Sequence, residues 1–189
     1  MNRSQAVLAL TLASLALPIT ASAATAGDDA ALSAFQTICA DTTADFPAVL
    51  KAADAAGFTE ANLIADADPT LTVTDKDGRE KSVGGATLRM LAIRGTKTSP
   101  GGQLTLSTCK ISTDKADNGL LAKAQSWLGI PTDSSDKGMA SYLVTVNGGA
   151  RTPLTHAQIG ASLSAGGAHI LKFQEDAASA SLVYQKFTK

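Results

Sequence analysis

The chain is 189 residues long, carries a formal net charge of −1 and is only 4% aromatic. Near-neutrality without stacking rings excludes a nucleic-acid binder, which needs a basic stripe and usually aromatic platforms. The length suits one domain able to bury a core, and with so few rings that core must come from Leu, Val, Ile and Ala.

The first residues read as an export signal. Arg3 is the only charged side chain before Asp28, an apolar run follows from Ala6 to Leu17, Pro18 breaks it, and Ala21-Ser22-Ala23 supplies small residues for a signal peptidase. That is the order of a secretory leader. The run is too short to cross roughly 30 Å of hydrocarbon, and no other stretch is long enough, so no membrane span is expected in the mature chain. Cleavage after Ala23 divides the sequence into a leader, 1–23, and a single domain, 24–189. No Cys sits beside the cleavage site, which argues against a lipid anchor.

The domain is expected to start helical, with Asp28 and Asp29 favouring the positive end of the helix dipole. Leu32, Phe35 and Cys39 recur as one apolar face. Asp41-Thr42-Thr43 interrupts, and a second helix begins near Pro47, its inner face Val49, Leu50, Ala53 and Ala56. Gly57 fits a left-handed helix terminus with Phe58 beyond it, and Thr59 caps a further short turn to Leu63. The period then changes to two. Leu71 to Thr74 alternates, Asp77-Gly78 signals a hairpin, and the chain returns to Val83. Further strands are predicted over Thr87–Arg94 and Leu104–Ile111, separated by a loop from Lys97 to Gly102. The second carries Cys109, and its apolar phase shifts at Ser107-Thr108, the mark of a bulge or of burial on both faces.

A central helix spans about Asn118 to Leu128, capped by Asp117 and stopped by Gly129 and Pro131, with Leu120, Ala124, Trp127 and Leu128 inward. A polar loop follows, then a strand from Ala140 to Val146, a turn at Asn147-Gly148-Gly149 and a return to Leu154. Thr155 to Ala165 forms a short helix, and strands Ala168–Phe173 and Leu182–Phe187 finish the chain. Hairpins dominate and no βαβ alternation is present. The expected fold is therefore α+β, a mainly antiparallel β-sheet with N-terminal helices and one central helix packed on one face.

Two cysteines, Cys39 and Cys109, are the whole complement. In an oxidising compartment a lone pair bridges, and no C-x-x-C or adjacent His marks either as a reactive thiol. Charge is uneven. Nine acids and one base lie between Ala24 and Asp75, seven bases and two acids between Lys76 and Lys110. Acidic helices packed beside a basic hairpin account for this without an anionic partner.

No catalytic, metal or cofactor residues are assigned. Ser107 to Lys110 and Ser134 to Lys137 match S-x-x-K, but the companion K-T-G and S-D-N elements are missing in the required order. His156 and His169 are the only histidines, each expected to be a structural or surface residue. Asp75 to Glu80 resembles part of a calcium loop, yet position 12 is Ala86 where such a loop needs Glu. No phosphate-cradling glycine motif occurs.

From Phe35-Gln36-Thr37-Ile38-Cys39 through Ala52-Ala53-Asp54-Ala55-Ala56-Gly57-Phe58, with Cys109 and Trp127-Leu128-Gly129 further on, the chain resembles small exported bacterial proteins of unassigned role. They share the leader, the Cys late in the first helix and the Ala-rich helix closing in Gly-aromatic. The resemblance supports the fold and implies no activity. The expectation is a periplasmic or secreted, non-catalytic binding or interaction protein of the cell envelope, without cofactor, its partner a small-molecule ligand or another protein. Two alternatives are carried forward. One is a hydrolase using a Ser, His156 or His169 and an Asp. The other is an envelope inhibitor presenting the Lys97–Gly102 loop. Mass spectrometry of the protein recovered after export is expected to show a chain beginning at Ala24; an intact leader would overturn the reading of residues 1–23.

Overall fold

A computed structural model describes residues 26–65, 68–99, 102–116, 119–165 and 167–189. The expected leader, Asp66, Pro100, Gly101, Asp117, Asn118 and Gly166 lie outside the described residues, as does the side chain of Asp28.

Helix α1 (Ala26–Ala34) runs directly into a π-helical turn, Phe35–Ala40. The hydrogen bonds Asp41 N–H to Gln36 O and Ala44 N–H to Cys39 O, both 2.9 Å, reach back five residues, which widens the helix. A broader set of side chains then faces inward than a regular stripe allows. Phe35, Ile38, Cys39 and Ala40 are all buried, whereas Leu32 is only half-buried. Helix α2 (Phe46–Ala55) starts where expected, with Pro47 in its first turn and the Asp45 carboxylate accepting from Ala48 N–H at 3.2 Å. Gly57 takes φ +78° and Phe58 is buried beyond it. The Lys81 ammonium donates to the Ala56 carbonyl at 2.6 Å, satisfying the helix end with a cation.

The strands are β1 (Thr59–Glu60), β2 (Leu71–Val83), β3 (Ala86–Ser99), β4 (Gly102–Thr113), β5 (Ser134–Asp136), β6 (Met139–Asn147), β7 (Ala150–Pro153), β8 (Ala168–Glu175) and β9 (Ala180–Thr188). They form one antiparallel sheet ordered β1-β2-β3-β4-β9-β8-β6-β5, with β7 also on β6. Helix α3 (Leu120–Leu128) connects its two halves, and α4 (Ile159–Ser164) follows a single 3₁₀ turn, His156–Gln158. Thr155 and Gln158 close a capping box ahead of that turn.

Several expectations are corrected. The hairpin does not turn at Asp77-Gly78. Leu71–Val83 is one strand, and the reversal lies at Gly84-Gly85, both at positive φ, between the paired Val83 and Ala86. Gly78 is needed for a different reason. A Cβ there would sit 2.5 Å from the Ala61 carbonyl oxygen, because the chain after β1 crosses directly over it. Thr59 starts no helical turn; it pairs with Glu80 as an edge strand. Lys97 to Ser99 is strand rather than loop, paired with Gly102 to Leu104. Ser134–Asp136, expected in a loop, pairs with β6. The phase shift at Ser107-Thr108 is no bulge, since β4 keeps continuous register with β3. Leu106 is buried on one face of β4 and Cys109 and Ile111 on the other. The irregularity lies instead in β2, between Val73 and Asp75.

All of α1, the π turn, α2 and α3 lie on one face of the sheet. Their core meets Leu88, Met90, Ala92, Ile111, Leu171 and Leu182 from the strands. The few rings gather there. Phe35 makes edge-on contacts with Trp127 and Phe173, with centroids 5.9 and 5.6 Å apart, and Tyr142 lies 5.4 Å from Phe173. Cys39 and Cys109 are bridged, Cα atoms 5.3 Å apart, tying the π turn to β4. The charge asymmetry resolves within this layer: Arg79 bonds Asp54 at 3.0 Å, Arg94 bonds Asp75 at 2.8 Å and Lys123 bonds Asp29 at 3.0 Å. Among the described residues no helix is long and apolar enough to cross a membrane.

Cys39 and Cys109 are 70 residues apart, so replacing both with Ala should cost about 4 kcal/mol in denaturant unfolding under oxidising conditions. Gly78→Ala should cost about 1–3 kcal/mol from overpacking against the crossing segment; an unchanged midpoint would refute that close approach.

Candidate functional site

The sequence-level candidates do not converge. Ser107 and Lys110 lie three residues apart on β4 and point to opposite faces. Ser134 sits on the short strand β5. Asp75 and Asp77 are committed to Arg94 and Arg79, each at 2.8 Å, and no cluster of metal-ligating side chains occurs among the described residues. His156 is exposed, its Nδ1 3.7 Å from an Asp133 carboxylate oxygen. His169 is buried under the helical layer, its Nδ1 3.0 Å from the Tyr184 hydroxyl. The two histidines are therefore partnered by a carboxylate and a phenol, not by a serine.

The His169 surroundings are nonetheless unusual. Burial, reinforced by the charges of Lys186 and Arg151, pulls its pKa down to about 4. Burial likewise pushes Tyr184 up to about 12. At neutral pH both are uncharged and share one hydrogen bond whose direction follows the imidazole tautomer. The Arg151 guanidinium stacks 4.8 Å from the centre of the Trp127 ring, and its Nε is buried without a hydrogen-bond partner. The half-buried Trp127 thus supports a cation at the margin of the core as well as packing Phe35. None of these residues lines any of the cavities described below.

The opposite face of the sheet is different. Among the described residues two pieces of chain cover parts of it. Near β2, Ala61 to Leu63 crosses over Gly78, and the Lys76 ammonium donates to the Leu63 carbonyl at 2.8 Å. At the other end α4 leans on β8 and β9, leaving an apolar cavity of about 200 Å³ between Ile159 and Leu163 above and Leu104, Leu143, Ile170 and Phe187 below. Between these covers one stretch of the outer face is open among the described residues, while Leu91 and Ile93 on β3 are buried. Antiparallel register aligns Arg89 with Ser112, Ser112 with Ser181, and Ser181 with Gln174 across β3, β4, β9 and β8. Adjacent strands are about 4.8 Å apart, so this is a continuous polar row. With Lys110 beside it, the row floors a basin of about 370 Å³ whose rim carries Asp114, Asp176 and Ser179.

Asp114 is oriented by the start of β3 and Asp176 by its own loop. Asp114 accepts from Thr87 N–H at 2.8 Å, which holds its carboxyl below the usual carboxylate range. Asp176 accepts from the backbone N–H of Ala178 and Ser179, at 3.0 and 2.8 Å, and from the Ser179 hydroxyl at 2.8 Å, with the same effect. Glu175, between Gln174 and Asp176, points the other way. Its carboxylate accepts from Leu120 and Leu121 N–H, at 3.3 and 2.9 Å, capping α3 on the helical face. Asp117, expected to be that cap, lies outside the described residues, and Gly119 in the cap position offers no side chain.

Sequence reasoning missed the basin residues. Each is legible alone as the polar half of an alternating strand, but their alignment depends on register between strands far apart in the chain. No protein-family model, curated protein or solved structure matches the chain.

His169 generates a pH prediction. Its folded pKa lies below the unfolded value, so the unfolded state binds the extra proton first as the solution is acidified. Stability is therefore full above about pH 6.5 and declines toward pH 4, by roughly 3 kcal/mol at the limit. Denaturant titrations at stepped pH should show this decline, and His169→Gln should flatten it. An equally steep decline in the variant would assign the effect to other groups.

Proposed function

We propose that the chain is an exported, non-catalytic binding domain of the cell envelope that presents the open part of its outer sheet face to a ligand or partner. The observation that carries this reading is the placement of the helices. The four helical elements that build the core all lie on one side, while among the described residues the aligned row of Arg89, Ser112, Ser181 and Gln174 on the other side stays uncovered. Strands support a rigid arrangement of side chains, which is what recognition by a preformed surface requires. The disulfide fits an oxidising compartment. The hydrolase alternative gains nothing from this geometry, because neither His has a Ser partner, and Lys97 to Ser99 belongs to a paired strand rather than to a projecting inhibitory loop.

Residues that serve binding contribute little to folding. Arg89 approaches Asp114 only to 3.9 Å, and both side chains are substantially exposed. Arg89→Ala should therefore change stability by no more than about 0.5 kcal/mol. Amide chemical shifts of isotope-labelled protein, followed against amino acids, peptides, sugars and lipid headgroups, should move at Arg89, Ser112, Gln174 and Ser181. Binding confined to the helical face, or turnover of any of these compounds, would overturn the proposal.

A further inference from the structure

The cavity under α4 is an anomaly in packing. Protein interiors leave few voids larger than a water molecule, and this one measures about 200 Å³, with Ile159 and Leu163 in its roof and Leu104, Leu143, Ile170 and Phe187 in its floor. Apolar side chains alone line it, so water gains no hydrogen bonds there and an apolar guest meets no competing solvent.

The roof is held off the floor at both ends. Ahead of α4, Leu154 N–H donates to the Leu143 carbonyl at 2.8 Å, and the Thr155–Gln158 capping box fixes the turn that follows. Behind it, the Ser162 hydroxyl donates to the Gly167 carbonyl at 2.7 Å, and Gly167 N–H donates to the Ser162 carbonyl at 2.9 Å. Gly167 itself lies so close to β9 that a Cβ there would sit 2.7 Å from the Phe187 carbonyl oxygen. A six-residue helix tied to β6 before it and seated on β9 behind it spans the gap without closing it. The small Ala168 in the floor fills little of the space. The cavity is therefore built in, not a product of loose packing.

Size and surroundings specify the guest. An engineered apolar cavity of about 150 Å³ holds one benzene ring, so this one has room for about eight carbons. Two positions along β8 on the same face, about 7 Å from Ile170, stands Lys172. It is exposed and makes no ion pair among the described residues. Its neighbours on that face of β8 are Ile170 and Gln174, and across from it lie Val183 and Ser141, with no carboxylate among them. A base without an acid, beside an apolar cavity, matches a molecule with a hydrocarbon tail and an anionic head.

We propose that this cavity binds the hydrocarbon chain of a single-chain anionic amphiphile, about eight carbons deep, with its carboxylate or phosphate head at Lys172. The site is separate from the polar row, so the inference goes beyond the outer-face reading and does not depend on it.

The test follows Ile and Leu methyl chemical shifts of the protein, expressed with its leader and purified without detergent, against butanoate, hexanoate, octanoate and decanoate, with octyl phosphate and 1-octanol alongside. Saturable shifts are expected at Leu104, Leu143, Ile159, Leu163 and Ile170 and not at Leu88 or Ile111 in the core beneath the helices. Affinity should rise about fourfold per methylene and level off at about eight carbons. Leu163→Trp, which fills the cavity, should weaken octanoate about tenfold or more, the loss of two or more buried methylenes, at an unchanged melting temperature; Ile159→Trp serves if that variant fails to fold. Lys172→Gln should weaken octanoate and octyl phosphate by about two- to fivefold, the worth of one exposed ion pair, and leave 1-octanol unchanged. Tighter binding of octanoate than of octyl phosphate supports the proposal with a fatty acid as the source, the reverse order with a phosphate-headed lipid. Affinity indifferent to chain length, an equal effect of Lys172→Gln on 1-octanol, or silence from octanoate and decanoate up to about 10 mM would each overturn it. None of these results bears on the polar row, whose ligand is read at Arg89, Ser112, Gln174 and Ser181.

Discussion

Cys39 and Cys109 are fully buried, and the bond between them joins the π turn to β4, near the middle of the strand order. The seating of the helical layer follows from that anchorage. With Cys39 held on the sheet, the widened turn places Phe35 against Phe173 and Trp127 and Ile38 within the same core, and α1 and α2 leave the turn in directions already set. A chain with so few rings concentrates them around this point. Ion pairs from Asp54, Asp75 and Asp29 then fasten the acidic helical layer and the β2 edge to basic residues nearby. Exposed pairs of this kind add little stability singly, which leaves the buried bridge and the ring cluster to define the packing.

Placing these helices on one face leaves the outer face to be covered by little of the described chain. The crossing segment over Gly78 and the six-residue α4 each cover one region. Between them the row of Arg89, Ser112, Ser181 and Gln174 is polar, and β4 records the division along its length: Leu106 is buried on the outer side, whereas Lys110 and Ser112 line the basin. The proposed binding surface is thus the remainder left by an asymmetric core.

How much of this could be read in the chain depends on the range over which each signal acts. Asp45, Pro47, Gly57 and Gly129 mark helix ends through local chemistry, and each sits at or beside an end in the structure. The two-residue glycine turns at 84–85 and 148–149 are equally local. Asp77-Gly78 misleads because the same dipeptide serves a tight turn or a close crossing, and only the segment from Ala61 to Leu63 decides which. The π turn was invisible to a stripe analysis, since it alters the period on which such analysis depends. The basin and the pairing of His169 with Tyr184 were illegible for a further reason: both depend on neighbours in the sheet, not in the chain.

Strand β8 carries these two faces in a single line of residues. Gln174 and Asp176 belong to the basin, and Glu175 between them caps α3 on the other side. Side chains alternate strictly along a strand, so a single inserted or deleted residue in β8 would exchange the two walls at once. The capping carboxylate would enter the basin, and Phe173 and Leu171 would turn out of the core. Length in this strand is therefore held fixed by two unrelated demands. The turn at Gly148-Gly149, where an added Cβ meets nothing within 4 Å, is bound by neither. Drift among descendants of this sequence should accordingly accumulate as length changes at that turn and as substitutions alone in β8.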